Sequence, residues 1–263
     1  MKPLKLFCLT TLVFLFPFIH INGSFEFCTL SIKGHRLLIG PEVYHVHRNR
    51  EGGSKQNGWL GGGRFTYDHY RRHSFYWALE GAIARGKLHG KSKLSKQESH
   101  MRDRSIEGRL GYTFRIKRIC KLMLTPFIGG GYMIEDNDFR HPSPLHLHFK
   151  TAYSYASAGL LSSISLGCQW KLGLTVKLRY LFDPTCKITH DPDFRSTSLK
   201  IANDNLQYRL ELPVTYNYCH GFSLVATPFY ESRIYGRQIG FPFDYLQTRI
   251  YDYGVILQAH FGY

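Results

Sequence analysis

The chain closes on Tyr253-Gly-Val-Ile-Leu-Gln-Ala-His-Phe-Gly-Tyr263. Taken in twos, Tyr253, Val255, Leu257, Ala259, Phe261 and Tyr263 are apolar or small, and Gly254, Ile256, Gln258, His260 and Gly262 fall between them. Alternation with period two is the mark of a β-strand that presents one greasy face. The strand ends on an aromatic residue, the last of the sequence.

An alternating final segment with Phe261 and a terminal aromatic, Tyr263, resembles the closing strand of bacterial outer-membrane β-barrels, which the barrel-assembly machinery reads as its signal. The resemblance implies the outer membrane of a Gram-negative-type bacterium. The other end of the chain agrees. Met1-Lys-Pro-Leu-Lys5 is a basic head, Leu6 to Ile19 is a nearly unbroken apolar run, and His20-Ile-Asn-Gly-Ser24 supplies small residues for cleavage. The run is too short to cross ~30 Å of hydrocarbon as a helix, so residues 1–23 are expected to be a signal peptide and 24–263 the barrel. No Leu-x-x-Cys lipobox precedes Cys28. No later stretch approaches ~18 consecutive apolar residues, so any membrane span must come from strands.

Composition fits a barrel with a lipid face and a polar lumen. Aromatics make up 15% and Gly 25 of the 263 residues, yet mean hydropathy is -0.25, below that of a helical membrane bundle. Ten strands are expected, at 37–48, 58–70, 75–86, 104–116, 121–134, 153–167, 170–182, 205–215, 222–235 and 247–263. The seventh alternates most cleanly: Trp170, Leu172, Leu174, Val176, Leu178 and Tyr180 against Lys171, Gly173, Thr175, Lys177 and Arg179. The fold class is therefore all-β, a closed antiparallel transmembrane barrel.

The connections 49–57, 71–74, 87–103, 117–120, 135–152, 168–169, 183–204, 216–221 and 236–246 alternate long and short. Outer-membrane barrels have long external loops, short periplasmic turns and an even strand count. Aromatic girdles are expected at both interfaces. Tyr132, Tyr153, Tyr155, Tyr180, Tyr208, Tyr230 and Tyr251 would form the outer one. Phe65, Tyr67, Phe75, Trp77, Phe114, Trp170, Phe222, Phe261 and Tyr263 would form the inner one.

By parity the lumen receives Arg64, Arg109, Arg115, Lys171, Lys177, Arg179, Arg209 and Arg233, opposed by Asp68, Glu80, Glu107, Glu211, Glu231 and Asp252. Unpartnered buried charge is expensive, so a mutually neutralising network is expected, with Arg64 and Glu80 close across one ladder. The surplus of cations leaves a second possibility open, a narrow porin-like channel with anion preference.

Formal charge is +15, and removing Lys2 and Lys5 with the signal takes it to +13. Part of it sits in the segment 87–103, with Lys87, Lys91, Lys93, Lys96 and Arg102 against Glu98 and Asp103. A basic external loop there suits lipopolysaccharide phosphates or an acidic host-surface ligand. Export excludes nucleic acid as a natural partner. A non-enzymatic, structural or adhesin-like role is therefore expected.

Ten strands is also the number in omptins, outer-membrane proteases with acidic and Asp–His pairs at the outer rim. Glu135, Asp136, Asp138, His190, Asp191 and Asp193 do not reproduce their motifs, nor is there a Ser–His pattern of lipid-A-modifying enzymes. His45/His47 and His146/His148 each supply two ligands on one strand face, short of the three or four a metal site wants. No cofactor is expected.

Five cysteines follow the signal. Cys28, Cys120, Cys168 and Cys219 fall at the expected periplasmic end, and Cys186 falls outside. An odd count in an oxidising compartment invites disulfides among the four or to neighbouring envelope proteins. Such cross-linking is similar to that of chlamydia-type envelopes, and Ile39-Gly-Pro-Glu-Val-Tyr44 has a like flavour.

Overall fold

The computed structural model describes residues 34–92, 95–116, 122–144, 146–167, 169–191, 195–202, 206–219, 221–240 and 244–262. The expected signal peptide, Cys28, Lys93, Cys120, Cys168, Asp193 and Tyr263 lie outside them.

Twelve strands make one antiparallel sheet closed on itself. They are β1 (His35–Arg50), β2 (Ser54–His69), β3 (Ser74–Ser92), β4 (Ser95–Ile116), β5 (Leu122–Arg140), β6 (His148–Leu166), β7 (Trp170–Asp191), β8 (Arg195–Lys200), β9 (Gln207–Glu211), β10 (Val214–Cys219), β11 (Phe222–Tyr235) and β12 (Thr248–Gly262). β1 to β7 pair in sequence, and β11, β12 and β1 complete the circle. The gap between β7 and β11 is filled by one broken stave. β9 pairs with both neighbours in the middle, β10 pairs with both at the end that carries His35 and Gly262, and β8 pairs with β7 at the far end. Twelve strands thus make ten staves, the number the alternation implies. The break at Leu212-Pro213 follows from Pro213, which has no N–H for the ladder.

A belt of exposed apolar side chains surrounds the wall, including Ile39, Val43, Leu79, Ile83, Leu110, Ile128, Leu174, Leu224 and Leu257. Exposed rings edge it: Phe75, Phe114, Trp170 and Phe261 at the near end, and Trp59, Tyr132, Tyr180, Phe182 and Tyr253 at the far end. Trp170 to Phe182 is about 40 Å of strand at ~3.3 Å per residue. At the ~40° tilt usual for such barrels that spans about 30 Å, a hydrocarbon thickness. Tyr153 and Tyr155 correct the girdle expectation. Their parity on β6 turns both inward, and they are 1% and 3% exposed.

The long connections are also corrected. β3 and β4 stay paired up to Ser92 and Ser95, so 87–103 is a hairpin tip and not a loop. β5 likewise runs to Arg140 and β7 to Asp191. Beyond the belt the outward positions turn charged while Leu88, Met101, Phe149 and Ile188 point inward and are buried. Strand persists because the inner face now supplies the core.

The interior is filled in three tiers. At the near end, Arg36 donates to Asp68 at 2.7 Å and lies over the Tyr70 ring, with Tyr76 and Phe127 packed behind. Ion pairs occupy the middle. At the far end Tyr44, Leu60, Leu88, Met101, Phe149, Leu181, Ile188, Tyr235 and Tyr245 form an apolar core.

Candidate functional site

Two features gather charge: the middle of the lumen and the outer wall beyond the belt. In the lumen Arg64 donates to Glu42 at 2.8 Å and to Glu80 at 2.6 Å, from neighbouring staves. Glu80 also accepts from Arg109 at 2.7 Å. Glu107 takes Lys177 at 3.0 Å, the Arg109 guanidinium and the Tyr155 hydroxyl at 2.8 Å. Glu231 accepts from Arg209 at 2.6 Å and from Arg179, while Arg209 also reaches Glu211. Arg233 spans Asp103, Asp252 and Glu135, and Glu135 is met by Arg48 at 3.4 Å. All of these side chains are at most 13% exposed.

Among the described residues this network holds seven cations and eight carboxylates, which removes the cation surplus read by parity. Asp68 leaves it for Arg36, and Arg115 and Lys171 lie outside it. Glu42, Asp103, Glu135 and Arg48 join it. Sequence reasoning missed Asp103 and Glu135 because the expected strands stop one residue short of them. The space left between Glu42, Arg64, Asp103, Arg233 and their neighbours is a crevice of about 30 Å³, room for one or two waters. The arrangement can brace the wall.

The outer wall is different. Lys55, Lys91 and Lys96 stand directly opposite one another on β2, β3 and β4. Like charges in that position repel. None of the three meets a carboxylate among the described residues, and with His89, Gln97 and Pro142 they line a cleft of about 540 Å³. Glu98 lines the same cleft, but its carboxylate is turned to Lys87 at 3.7 Å and His89 at 3.5 Å. Three outward positions from the lysine row toward the belt, Arg85 faces Arg102. Lys55 escapes a sequence reading because it precedes the expected strand 58–70, and Arg85 because one strand's pattern does not show that it faces Arg102.

The remaining candidates scatter. Asp136 points outward to Arg104, with His148 at 3.4 Å, and His148 stacks on His190 at 6.3 Å. Asp138 pairs with Arg140 on the surface, and Glu135 points inward. His45 is held between Trp59 and Tyr253. Among the described residues no group of three His, Cys, Asp or Glu is placed to hold a metal. Of Cys219 only the backbone is described, at the end of β10; Cys186 is a free, buried thiol in the far-end core. Phe261 packs at 5.5 Å on Phe222 in the near-end girdle.

No protein-family model matches the chain, and no curated protein matches it in sequence. Solved structures do match in fold. The outer-membrane protease OmpT of Escherichia coli aligns with a TM-score of 0.60 at 9% identity, covering 90% of this chain and 99% of that one. The translocator domain of autotransporter NalP from Neisseria meningitidis aligns at 0.47 and 8%, covering 88% of each. OprG of Pseudomonas aeruginosa gives 0.42 and 10%, covering 88% of this chain and 97% of its own. The chain has the fold of a bacterial outer-membrane barrel. At such identity the likeness is one of fold alone.

Proposed function

We propose that the chain is a non-enzymatic outer-membrane barrel of a Gram-negative-type bacterium that serves as a rigid, sealed support for an external binding surface. The surface is the wall of β2, β3 and β4 beyond the belt, and its ligand is polyanionic, such as an acidic glycan. The row Lys55–Lys91–Lys96 carries this reading: three cations held opposite one another on a ladder, outnumbering the single carboxylate, Glu98, that lines the same open cleft. A bound polyanion would convert that repulsion into attraction. The filled lumen weighs against the second reading, a narrow channel, since permeation would have to dismantle Arg233's three ion pairs.

Retention of the refolded full chain on a heparin-type sulfated polysaccharide tests it. Binding should weaken steeply with salt, since exposed charges are screened within ~10 Å at 0.1 M. It should fall at least about tenfold, ~1.4 kcal/mol, when Lys55, Lys91 and Lys96 are replaced by Glu. Retention unaffected by those changes would overturn the assignment.

A further inference from the structure

Below the lysine cleft, the same side of the wall carries a second feature of different chemistry. A groove of about 750 Å³ runs across the outward face of β1 to β5. Pro41, Phe65, Ile83, Ile106 and Tyr132 wall it, and Gly63 floors it. A side chain at Gly63 would meet only the Gly40 carbonyl, at 3.8 Å, and one at Gly61 would meet nothing within 4 Å. Gly63 helps create the concavity by leaving out a side chain that would fill it.

The groove opens upward onto cations. Arg104 sits at its edge, tied to Asp136. Two residues further along, about 7 Å at strand rise, Arg85 and Arg102 stand directly opposite each other, level with Gly61. Both are exposed, and neither meets a carboxylate among the described residues. Asp136, opposite Arg102 on the next stave, is already held by Arg104 and His148. Two opposed guanidiniums at the top of an apolar slot match a phosphate above an acyl chain: the planar forks donate to one anion in common, and the chain lies below.

We propose that this groove binds one molecule of a phosphorylated, acylated glycolipid, the lipid anchor of lipopolysaccharide, with an acyl chain over Gly63 and a phosphate between Arg85 and Arg102. The cations lie on the end away from His35 and Gly262, on the side of the long β3–β4 hairpin, and long connections in outer-membrane barrels face outward. Lys87 and His100, the next opposed pair, extend the positive strip beyond one phosphate toward a larger anionic head. The site rests on the outer-membrane placement but uses none of the lysines of the external cleft.

Native mass spectrometry of the refolded full chain, incubated with diphosphorylated lipid A, tests it. One retained lipid per barrel is expected. Retention should fall at least tenfold in Arg85→Gln/Arg102→Gln, and separately in Gly63→Leu, which fills the groove in open space and leaves the ladder intact. Lys91→Glu/Lys96→Glu should retain lipid as the parent does. Loss of heat-modifiable gel mobility would identify a variant that fails to fold, and for that case Arg85→Lys/Arg102→Lys supplies a milder change in which retention should still drop. Equal retention in all folded variants, equal retention of dephosphorylated lipid A, or equal retention of phosphatidylglycerol would each overturn the proposal.

Discussion

Arg233 on β11 donates to Asp103 on β4 at 2.9 Å, although these strands lie on opposite sides of the ten-stave wall. A single side-chain contact thus crosses the barrel, and the same guanidinium holds Asp252 and Glu135. Replacing Arg233 by Met would leave Asp103 and Asp252 buried without a cation and Glu135 with Arg48 alone. A loss of ~3–5 kcal/mol is expected, as when one partner of a buried pair is removed. Denaturant unfolding in detergent or lipid measures it, and a loss below ~1 kcal/mol would mean the strut is ornamental.

Tyr155 reaches Glu107 at 2.8 Å because β5 has no side chain in its way. A Cβ at Gly131 would sit 2.5 Å from the Tyr155 hydroxyl oxygen and 2.5 Å from the Ile106 carbonyl. The ring can swing aside, but the backbone carbonyl cannot. Gly131→Ala should therefore cost ~1–3 kcal/mol, as overpacking does. The unfolding midpoint in urea would show it; an unchanged midpoint would contradict the packing described.

Cys186 lies four residues past Phe182, in the core beyond the belt, where burial pushes its thiol up to about 11. The folded chain should resist iodoacetamide at pH 8 and react once unfolded, because the thiolate is the nucleophile. The folded state then holds a proton that the unfolded thiol, near 8.5, gives up. The thiol's contribution to stability is thus intact below about pH 8.5 and declines between there and about 11. Alkylation of the folded barrel at pH 8 as fast as of free cysteine would refute the burial.

Lys91 stands between Lys55 and Lys96. Lys91→Glu turns two repulsions into two cross-strand attractions. At low salt the variant should unfold at a higher temperature than the parent while losing polyanion binding, with the thermal gain vanishing at high salt. A variant that loses both stability and binding would assign Lys91 to the fold and not to a ligand.

The stave count was legible because within the belt lipid demands apolar side chains at every second residue. β7 from Trp170 to Tyr180 shows it directly, as does the final segment to Phe261. Beyond the belt that demand reverses: Leu88 and Met101 face inward while Lys87 and Arg102 face outward. The alternation changes phase there, so 87–103 reads as a loop although Lys87–Ser92 and Ser95–Asp103 are paired strand. The pairing of Arg64 with Glu80 could be anticipated, since both face inward on adjacent strands. Arg233 with Asp103 could not, because parity tells which side chains enter the lumen and nothing about which meet across it. The cleft of Lys55, Lys91 and Lys96 needs three registers at once, which one strand's pattern does not contain.

Single-channel recording of the refolded full chain in a planar bilayer distinguishes a lumen that only braces the wall from one that conducts. A silent bilayer is predicted for the parent, with conductance steps emerging when Arg233 and Lys177 are replaced together by Ala. Discrete, reproducible steps from the unaltered barrel would contradict the account and make the charged lumen a conducting path.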